Sequence, residues 1–236
     1  MTVDVCFSPA LYPLYRREEA TVVIVDVFRA TTTIAAAFAA GARSIRPVAT
    51  VGEAEACKAA GWLVGAERNV RRCAFADFGN SPSDYTPDRV AGRDIAFTTT
   101  NGTRAIHCAL GARRIVTGAF TCLHAVARYC TAGGRDAVVL CSGWEDRINI
   151  EDTLFGGALT EALLPAGYRP AGDAAQIALA LWQDAKADLR AFVERTEHAA
   201  RLRANGLNAD IPRCLTPDTL TIVPVYSAER GVLLPA

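Results

Sequence analysis

Residues 21–38, TVVIVDVFRATTTIAAAF, constrain the fold more than any other stretch of the chain. The β-branched run at 22–25 is typical of a buried strand, and the alanine-rich run that follows is typical of a helix. A strand that passes directly into a helix indicates an α/β fold, with Asp26 at the carboxyl end of the strand. In open α/β sheets this is the usual position of a metal ligand or a general base.

The start of the predicted helix has the chemistry of a phosphate site. Its free backbone amides and the positive end of its dipole attract anions, and Arg29 adds planar donors just before it. We therefore expect Asp26 and Arg29 to be catalytic, and the phosphoryl group to be bound by Thr31, Thr32 and Thr33. The structural alternative is that the threonines only cap the helix and that neighbouring amides satisfy Asp26.

Strand and helix patterns alternate along most of the chain, which predicts a mostly parallel sheet covered on both faces. Strands are predicted at 3–7, 22–25, 44–48, 62–65, 95–98, 114–117, 137–141 and 220–225, and helices at 31–41, 51–60, 103–110, 123–130, 151–164 and, in segments, 174–205. Residues 66–94 are predicted to be irregular, and a loop of that length is usually functional or disordered. The 236 residues fit a single compact domain.

A second unit repeats the pattern of the first. Residues 100–115, TNGTRAIHCALGARRI, align with residues 30–45, ATTTIAAAFAAGARSI, and both helices end on Gly-Ala-Arg. Either the chain contains two related halves, at about 20–90 and 91–236, or both helices use the same capping solution. The hydroxyl-rich entrance of the second unit predicts another oxyanion site, formed by Asn101, Gly102 and Thr103.

A third helix entrance carries carboxylates instead. Glu151 and Asp152 stand in the first turn of the helix predicted at 151–164, where the helix dipole alone would favour them. If the three entrances meet at one edge of the sheet, the site joins two anion cradles to several carboxylates. Such a site would suit a small substrate with two anionic groups and a hard divalent cation, Mg²⁺.

Composition and missing motifs exclude several classes of function. Lys and Arg together number 25, as do Asp and Glu, so nothing indicates binding to nucleic acid or to an anionic membrane. The first residues lack the pattern of a signal peptide and no apolar run reaches spanning length, so we expect a cytoplasmic protein. The eight cysteines form no Cys-x-x-Cys pair, and neither a dinucleotide-binding glycine motif nor a P-loop is present.

Six blocks of the sequence resemble, in the same order, those of the 2-phosphosulfolactate phosphatases, a magnesium-dependent family. The blocks are VDVFRATTTI, GAERN, FGNSP, FTTTNGTRAI, EDTLFGGAL and DIPRCLTPDTLTIVPVY, and they extend over nearly the whole chain. The resemblance implies a three-layer α/β/α fold with a mixed sheet. It also implies hydrolysis of 2-phospho-3-sulfolactate to 3-sulfolactate and phosphate, a step toward coenzyme M. Val70 stands where the family pattern has a glycine.

The carboxylates of this chain are the expected magnesium ligands. Asp26, with Glu151 and Asp152 as partners and Glu67 as a further candidate, would hold the ion so that it bridges the phosphoryl oxygens and orients a water molecule. Which of the carboxylates acts instead as a base or a nucleophile is left open by the sequence.

Two short blocks bound the irregular segment and are expected at the rim of the site. Arg68 belongs to the first, and Asn80 and Ser81 to the second, unless these residues only shape turns. Two other hypotheses stay open: a phosphatase for another small 2-phosphorylated acid, and an anion-binding sensor without catalysis. A homo-oligomer is the default expectation for a compact metabolic enzyme.

Overall fold

The structure, a computed structural model, describes residues 1–236 and contains one sheet of eleven strands with helices on its faces. The strands are β1 (Thr2–Cys6), β2 (Thr21–Val25), β3 (Ser44–Pro47), β4 (Leu63–Arg68), β5 (Arg71–Arg72), β6 (Asp94–Thr98), β7 (Arg114–Gly118), β8 (Ala137–Cys141), β9 (Arg169–Pro170), β10 (Pro224–Ser227) and β11 (Val232–Pro235). The helices are α1 (Tyr12–Tyr15), α2 (Ala30–Ala39), α3 (Val51–Ala59), α4 (Pro87–Val90), α5 (Gly102–Cys108), α6 (Leu123–Gly133), α7 (Ile150–Leu163), α8 (Asp173–Ala185), α9 (Leu189–Glu194), α10 (Glu197–Ala204) and α11 (Asp210–Leu215).

A hairpin joins two halves of the sheet. The strand order is β5-β4-β6-β3-β11-β10-β7-β2-β8-β1-β9. Strands β4, β6 and β3 are parallel to one another, and so are β7, β2, β8, β1 and β9. Because β10 and β11 pair antiparallel with each other and with β7 and β3, the two halves run in opposite directions. The predicted three-layer α/β/α fold with a mostly parallel, mixed sheet is confirmed.

The carboxyl-terminal strand differs from the prediction. A strand at 220–225 is wrong, because the Leu220 N–H donates to the carbonyl of Thr121 and the strand begins only at Pro224. The Gly231 N–H donates to the Ser227 carbonyl at 2.8 Å, and this turn returns the chain as β11, which the sequence analysis missed. An apolar run does not itself reveal whether its backbone groups pair with a sheet or with a neighbouring loop.

The segment at 66–94 is more regular than predicted. Strand β4 continues to Arg68, the short strand β5 pairs back on it, and the one-turn helix α4 precedes β6. The polar composition of the segment concealed these elements because they are short and lie near the surface.

The units β2-α2-β3 and β6-α5-β7 occupy equivalent places on the two sides of the hairpin. Strand β2 pairs with β7, and β6 pairs with β3, so each unit begins in one half of the sheet and ends in the other. Helices α2 and α5 pack on the same face of the sheet, where Ile34, Phe38 and Ile106 share one core. This connectivity fits an internal duplication, which stays a prediction.

The side chains of β2 belong to two cores. Val23 and Val25 pack beside α7 on one face, and Val22 and Ile24 pack beside α2 and α5 on the other. All five residues of β2 are buried, as expected for a strand with both faces covered. The chain leaves the sheet at Asp26, so this carboxylate directly follows a fully buried strand. No helix is both long enough and apolar enough to cross a membrane.

Candidate active site

Asp26 lies where the N-termini of α2 and α5 meet. Its Oδ1 accepts a hydrogen bond from the N–H of Ala30, the first residue of α2, at 3.4 Å. Gly102 is the first residue of α5, and a β-carbon there would lie 2.8 Å from Asp26 Oδ2 and 2.5 Å from the Ala30 β-carbon. The structure therefore brings the first two helix entrances together, with two positive helix ends beside one carboxylate.

We expect Gly102→Ala to lower both the stability and the activity of the protein. The new methyl group would overlap Ala30 and Asp26, and overpacking of this kind costs about 1–3 kcal/mol. Gly52→Ala in α3 is the matched control, since no heavy atom lies within 4 Å of the added carbon, and it should gain about 0.5–1 kcal/mol. Thermal unfolding and turnover measure both variants. Wild-type behaviour of Gly102→Ala would contradict the close contact.

A small inner cavity adjoins Asp26, and a larger outer cavity lies beside it. The inner cavity has a volume of about 10 Å³, which is room for about one water molecule. It is lined by Asp26, Phe28, Arg29, Glu67, Val70, Asn80, Thr99, Asn101, Trp144, His198 and Leu202. The outer cavity has a volume of about 650 Å³ and shares Trp144 and His198 with the inner one. The inner cavity thus contains five residues that the sequence analysis proposed, and two side chains separate it from a much larger space.

Burial raises the pKa of Asp26 to about 6. Desolvation is the largest cause, and the negative charges of Glu67 and Glu151 add to it. The positive charge of His198 and the hydrogen bond from Ala30 act in the opposite direction. A carboxylate whose pKa lies near neutrality exchanges protons under physiological conditions, which is typical of functional sites.

Arg29 reaches the inner cavity from a buried ion pair. Its Nη1 donates to Asp210 Oδ2 at 2.7 Å, and the side chains are 3% and 4% exposed. Ser81 Oγ donates to the other carboxylate oxygen of Asp210, also at 2.7 Å. Ser81, predicted to contact substrate, therefore positions Asp210, and Asp210 in turn fixes the guanidinium of Arg29.

The three threonine hydroxyls at the start of α2 are hydrogen-bonded within the protein. Each threonine hydroxyl donates to a backbone carbonyl at 2.9 Å: Thr31 to Asp26, Thr32 to Val27 and Thr33 to Asn80. Hydroxyls in the first helical turn commonly find such local acceptors, so their protons are not free for an anion. The three residues fasten the turn after β2 and tie α2 to the segment around Asn80.

The polar side chains of the second predicted cradle are also hydrogen-bonded within the protein. Thr103 Oγ1 donates to the Thr99 carbonyl at 3.0 Å, and the two hydroxyls each accept the other residue's N–H. Asn101 Oδ1 accepts the N–H of Glu145 at 3.5 Å. Asn101 lines the inner cavity, whereas Thr103 does not, and the Thr103 hydroxyl donates to Thr99.

Glu151 is connected to the inner cavity through a histidine. Its side chain is fully buried, and Oε1 lies 2.5 Å from His198 Nδ1. Its other oxygen, Oε2, is buried without a hydrogen-bond partner. The ring of His198 also packs against Phe28 and Trp144, with ring centroids 5.6 and 5.9 Å apart. His198 is therefore held in place from three sides.

Asp152 connects the loops that follow two neighbouring strands. Its Oδ1 accepts the N–H of Val27 at 2.8 Å, and its Oδ2 accepts the N–H of Gly143 at 3.2 Å. Burial, together with the charges of Glu151 and Asp26, holds the pKa of Asp152 well above its usual range. The structure thus brings the third helix entrance to the first, where both Asp152 oxygens accept backbone amides. Its role as a metal ligand stays a prediction.

Glu67 lines the inner cavity at the end of β4. Its Oε1 accepts the N–H of Val70 at 2.7 Å, in a turn where Val70 has a φ of 68° and Asn69 a φ of 51°. This left-handed conformation is unfavourable for a β-branched residue and natural for the glycine of the family pattern. Arg68 points elsewhere, because its guanidinium donates to the Glu67 carbonyl and to Thr98 Oγ1.

The four predicted metal ligands do not form a ready-made cluster. No three His, Cys, Asp or Glu side chains are grouped so that they could hold a metal ion. Asp26 and Glu67 nevertheless line the same small cavity, and each keeps one oxygen without a hydrogen bond. Magnesium is usually held by one or two protein carboxylates, with phosphate and water completing its shell. The donors of the inner cavity therefore fit an ion held by Asp26 and Glu67.

Sequence reasoning missed three residues of the site. Asp210 lies within the DIPR block, so its position was indicated but its role was not. His198 and Trp144 belong to no block and no motif, and only the fold brings them to Asp26.

Comparison with known proteins agrees with this geometry. The family model described as 2-phosphosulpholactate phosphatase matches residues 6–229. A probable 2-phosphosulfolactate phosphatase of Gloeobacter violaceus is 40% identical, over 99% of this chain and 98% of its own length. A protein of the same name from Synechococcus sp. strain RCC307 is 36% identical, over 99% of this chain and 99% of its own length. Another from Caldanaerobacter subterraneus is 35% identical, over 88% of each chain. The chain belongs to the 2-phosphosulfolactate phosphatase family, and the protein is a phosphoric monoester hydrolase.

Proposed function

We propose that the protein is a magnesium-dependent phosphatase that hydrolyses 2-phospho-3-sulfolactate to 3-sulfolactate and phosphate. The observation that carries the proposal is the buried Asp26 carboxylate between two helix N-termini, in a cavity that also presents Arg29. The names of the relatives support the choice of substrate, since each is called a probable 2-phosphosulfolactate phosphatase.

The phosphoryl group would occupy the inner cavity. Arg29 makes a single hydrogen bond within the protein, through Nη1, so its other donors are free for phosphoryl oxygens. Because Asp210 fixes the guanidinium beforehand, little reorganisation is needed as charge develops in the transition state. A volume of about 10 Å³ holds only one water molecule. Substrate binding must therefore displace part of the wall formed by Trp144 and His198.

Asp26 and Glu67 would hold the magnesium ion through their free oxygens. When bound, the ion would supply charge neutralisation at the phosphoryl group and a water molecule of lowered pKa. His198 is fixed at Nδ1 by Glu151, makes no hydrogen bond through Nε2 and lines both cavities. It can therefore give a proton to the leaving oxygen.

Phosphate release from 2-phospho-3-sulfolactate, with magnesium and with chelator, tests the proposal. We expect turnover that needs the ion and that is much slower on 2-phospholactate, which lacks the sulfonate. Turnover of 2-phospholactate or 2-phosphoglycolate at equal efficiency would replace the substrate by another 2-phosphorylated acid. Failure of the folded protein to release phosphate from any of these acids with magnesium would favour an anion-binding role. Full turnover in chelator would remove the metal from the proposal.

A further inference from the structure

The outer cavity begins at the wall that closes the inner one. Trp144 and His198 line both spaces, so the separation between them is one side chain thick. A substrate that fills the inner cavity with its phosphoryl group must extend past this wall, because the inner volume of about 10 Å³ cannot hold a three-carbon acid as well.

Arg201 of α10 lines the outer cavity and has a donor without a hydrogen-bond partner. Its guanidinium carbon lies 3.9 Å from the centre of the Trp144 ring. Its Nη1 is buried and has no hydrogen-bond partner in the protein. Leaving a charged donor buried and unpaired is costly, and most such groups in folded proteins have a partner. The donor therefore indicates an external acceptor at this point.

Of the two arginines that line the outer cavity, Arg201 is half-buried and Arg147 is exposed. Glu145, Glu197 and Arg147 are exposed at the rim and reach bulk water. Glu151 is paired with His198 through Oε1, and its Oε2 has no hydrogen-bond partner. A guanidinium next to an aromatic face, at the mouth of a polar site, presents the planar donors that suit a tetrahedral or planar oxyanion.

We propose that Arg201 binds the second anionic group of the substrate, the sulfonate on the carbon next to the phosphoester, and so determines specificity. This inference rests on the proposed function. It moves recognition of the second anion from the entrance of α5 to α10, because Gly102 is closely packed and the Thr103 hydroxyl is bonded to Thr99. Trp144 then acts as a positioning residue, because its ring supports the guanidinium.

The test compares Arg201→Gln with Arg203→Gln on 2-phospho-3-sulfolactate and on 2-phospholactate. Arg203 is the matched control, since it is an exposed arginine of the same helix that donates only to the Glu194 carbonyl. We expect Arg201→Gln to raise KM for the sulfonated substrate about 10- to 100-fold, as for loss of a charged hydrogen bond, with a smaller change in kcat. Its kinetics on 2-phospholactate should equal those of the wild type.

An equal loss of kcat/KM on both substrates, or no loss on either, would overturn the inference. Calorimetric binding of 3-sulfolactate gives a reading that does not depend on turnover. Wild-type protein should bind it and Arg201→Gln should bind it at least about 10-fold more weakly. If the wild type hydrolyses neither substrate but this difference in binding remains, the proposed function fails and the role of Arg201 stands. Equal binding by both proteins, or none by the wild type, would refute that role.

Discussion

Asp26→Asn is expected to lose about three or more orders of magnitude in phosphate release while unfolding at a higher temperature than the wild type at pH 8. The loss of activity follows because an amide can neither hold magnesium as a carboxylate does nor carry its negative charge. The gain in stability follows because the wild type keeps a buried negative charge between Glu67 and Glu151, whereas asparagine is neutral.

The stability effect has a defined dependence on pH. The pKa of Asp26 rises from its ordinary value of 3.8 to about 6 in the folded protein. The folded state thus binds the proton of Asp26 more tightly than the unfolded state does. The stabilisation that protonated Asp26 gives to the fold is therefore fully present below pH 4 and is lost as the pH rises through 6. A shift of about two units corresponds to roughly 3 kcal/mol above that range. For a chain of this size we expect the melting temperature of Asp26→Asn to be about 6–12 °C higher at pH 8.

Thermal unfolding in the presence of chelator, at pH 8 and at pH 4.5, checks this result. The difference in melting temperature between the variant and the wild type should be about two thirds smaller at pH 4.5 than at pH 8. At pH 4.5 the carboxyl group of Asp26 is protonated in the folded wild type, whereas in the unfolded chain it is still mostly ionised. Asp88→Asn is a suitable control, because Asp88 is exposed at the start of α4. A variant that is less stable than the wild type at both pH values would refute this account of Asp26.

Asp210→Ala is expected to be among the most destabilising single substitutions in the protein. It removes the partner of a guanidinium that is 3% exposed. Breaking a buried pair from one side costs about 3–5 kcal/mol, which for 236 residues lowers the melting temperature by about 6–20 °C. Activity should fall as well, because Arg29 loses the contact that orients it. Circular dichroism during heating and turnover at a permissive temperature measure the two effects.

The exposed pair of Arg190 and Glu194 provides the control. Its atoms are also 2.7 Å apart, but its side chains are 65% and 41% exposed. Glu194→Ala should therefore cost no more than about 0.5 kcal/mol. The double variant Arg29→Met, Asp210→Leu should recover much of the loss, since it leaves no charge unpaired. A melting temperature of Asp210→Ala close to that of the wild type would contradict the structural role of the pair.

The parts of the fold that could be predicted from sequence are those with strong local signals. The strand predicted at 137–141 coincides with β8, and the one at 22–25 lies within β2. The position of Asp26 followed from the same signal, because a buried strand that ends before a helix places its next residue at the sheet edge. The hairpin of β10 and β11 was missed because its pairing depends on partners far away in the sequence.

The candidate site was predictable in position but not in its hydrogen bonds. Thr31, Thr32 and Thr33 stand at the expected helix entrance, yet their hydroxyls find carbonyl acceptors that only the folded chain supplies. Asp210 and His198 come from helices more than 160 residues further along the chain than Asp26. The hydrophobic periodicity of a helix predicts which of its faces is buried. It does not predict which distant side chain will contact that face.

The hairpin of β10 and β11 follows every other strand in the sequence, yet it lies in the middle of the sheet. A ribosome consequently releases both halves of the sheet before the strands that join them. Until residues 224–235 emerge, β3 and β7 each keep an unpaired edge, and such edges are points at which nascent chains can associate. Because Asp26 follows a strand of one half and Glu67 ends a strand of the other, the order of translation leaves assembly of the catalytic site to the final stage of folding.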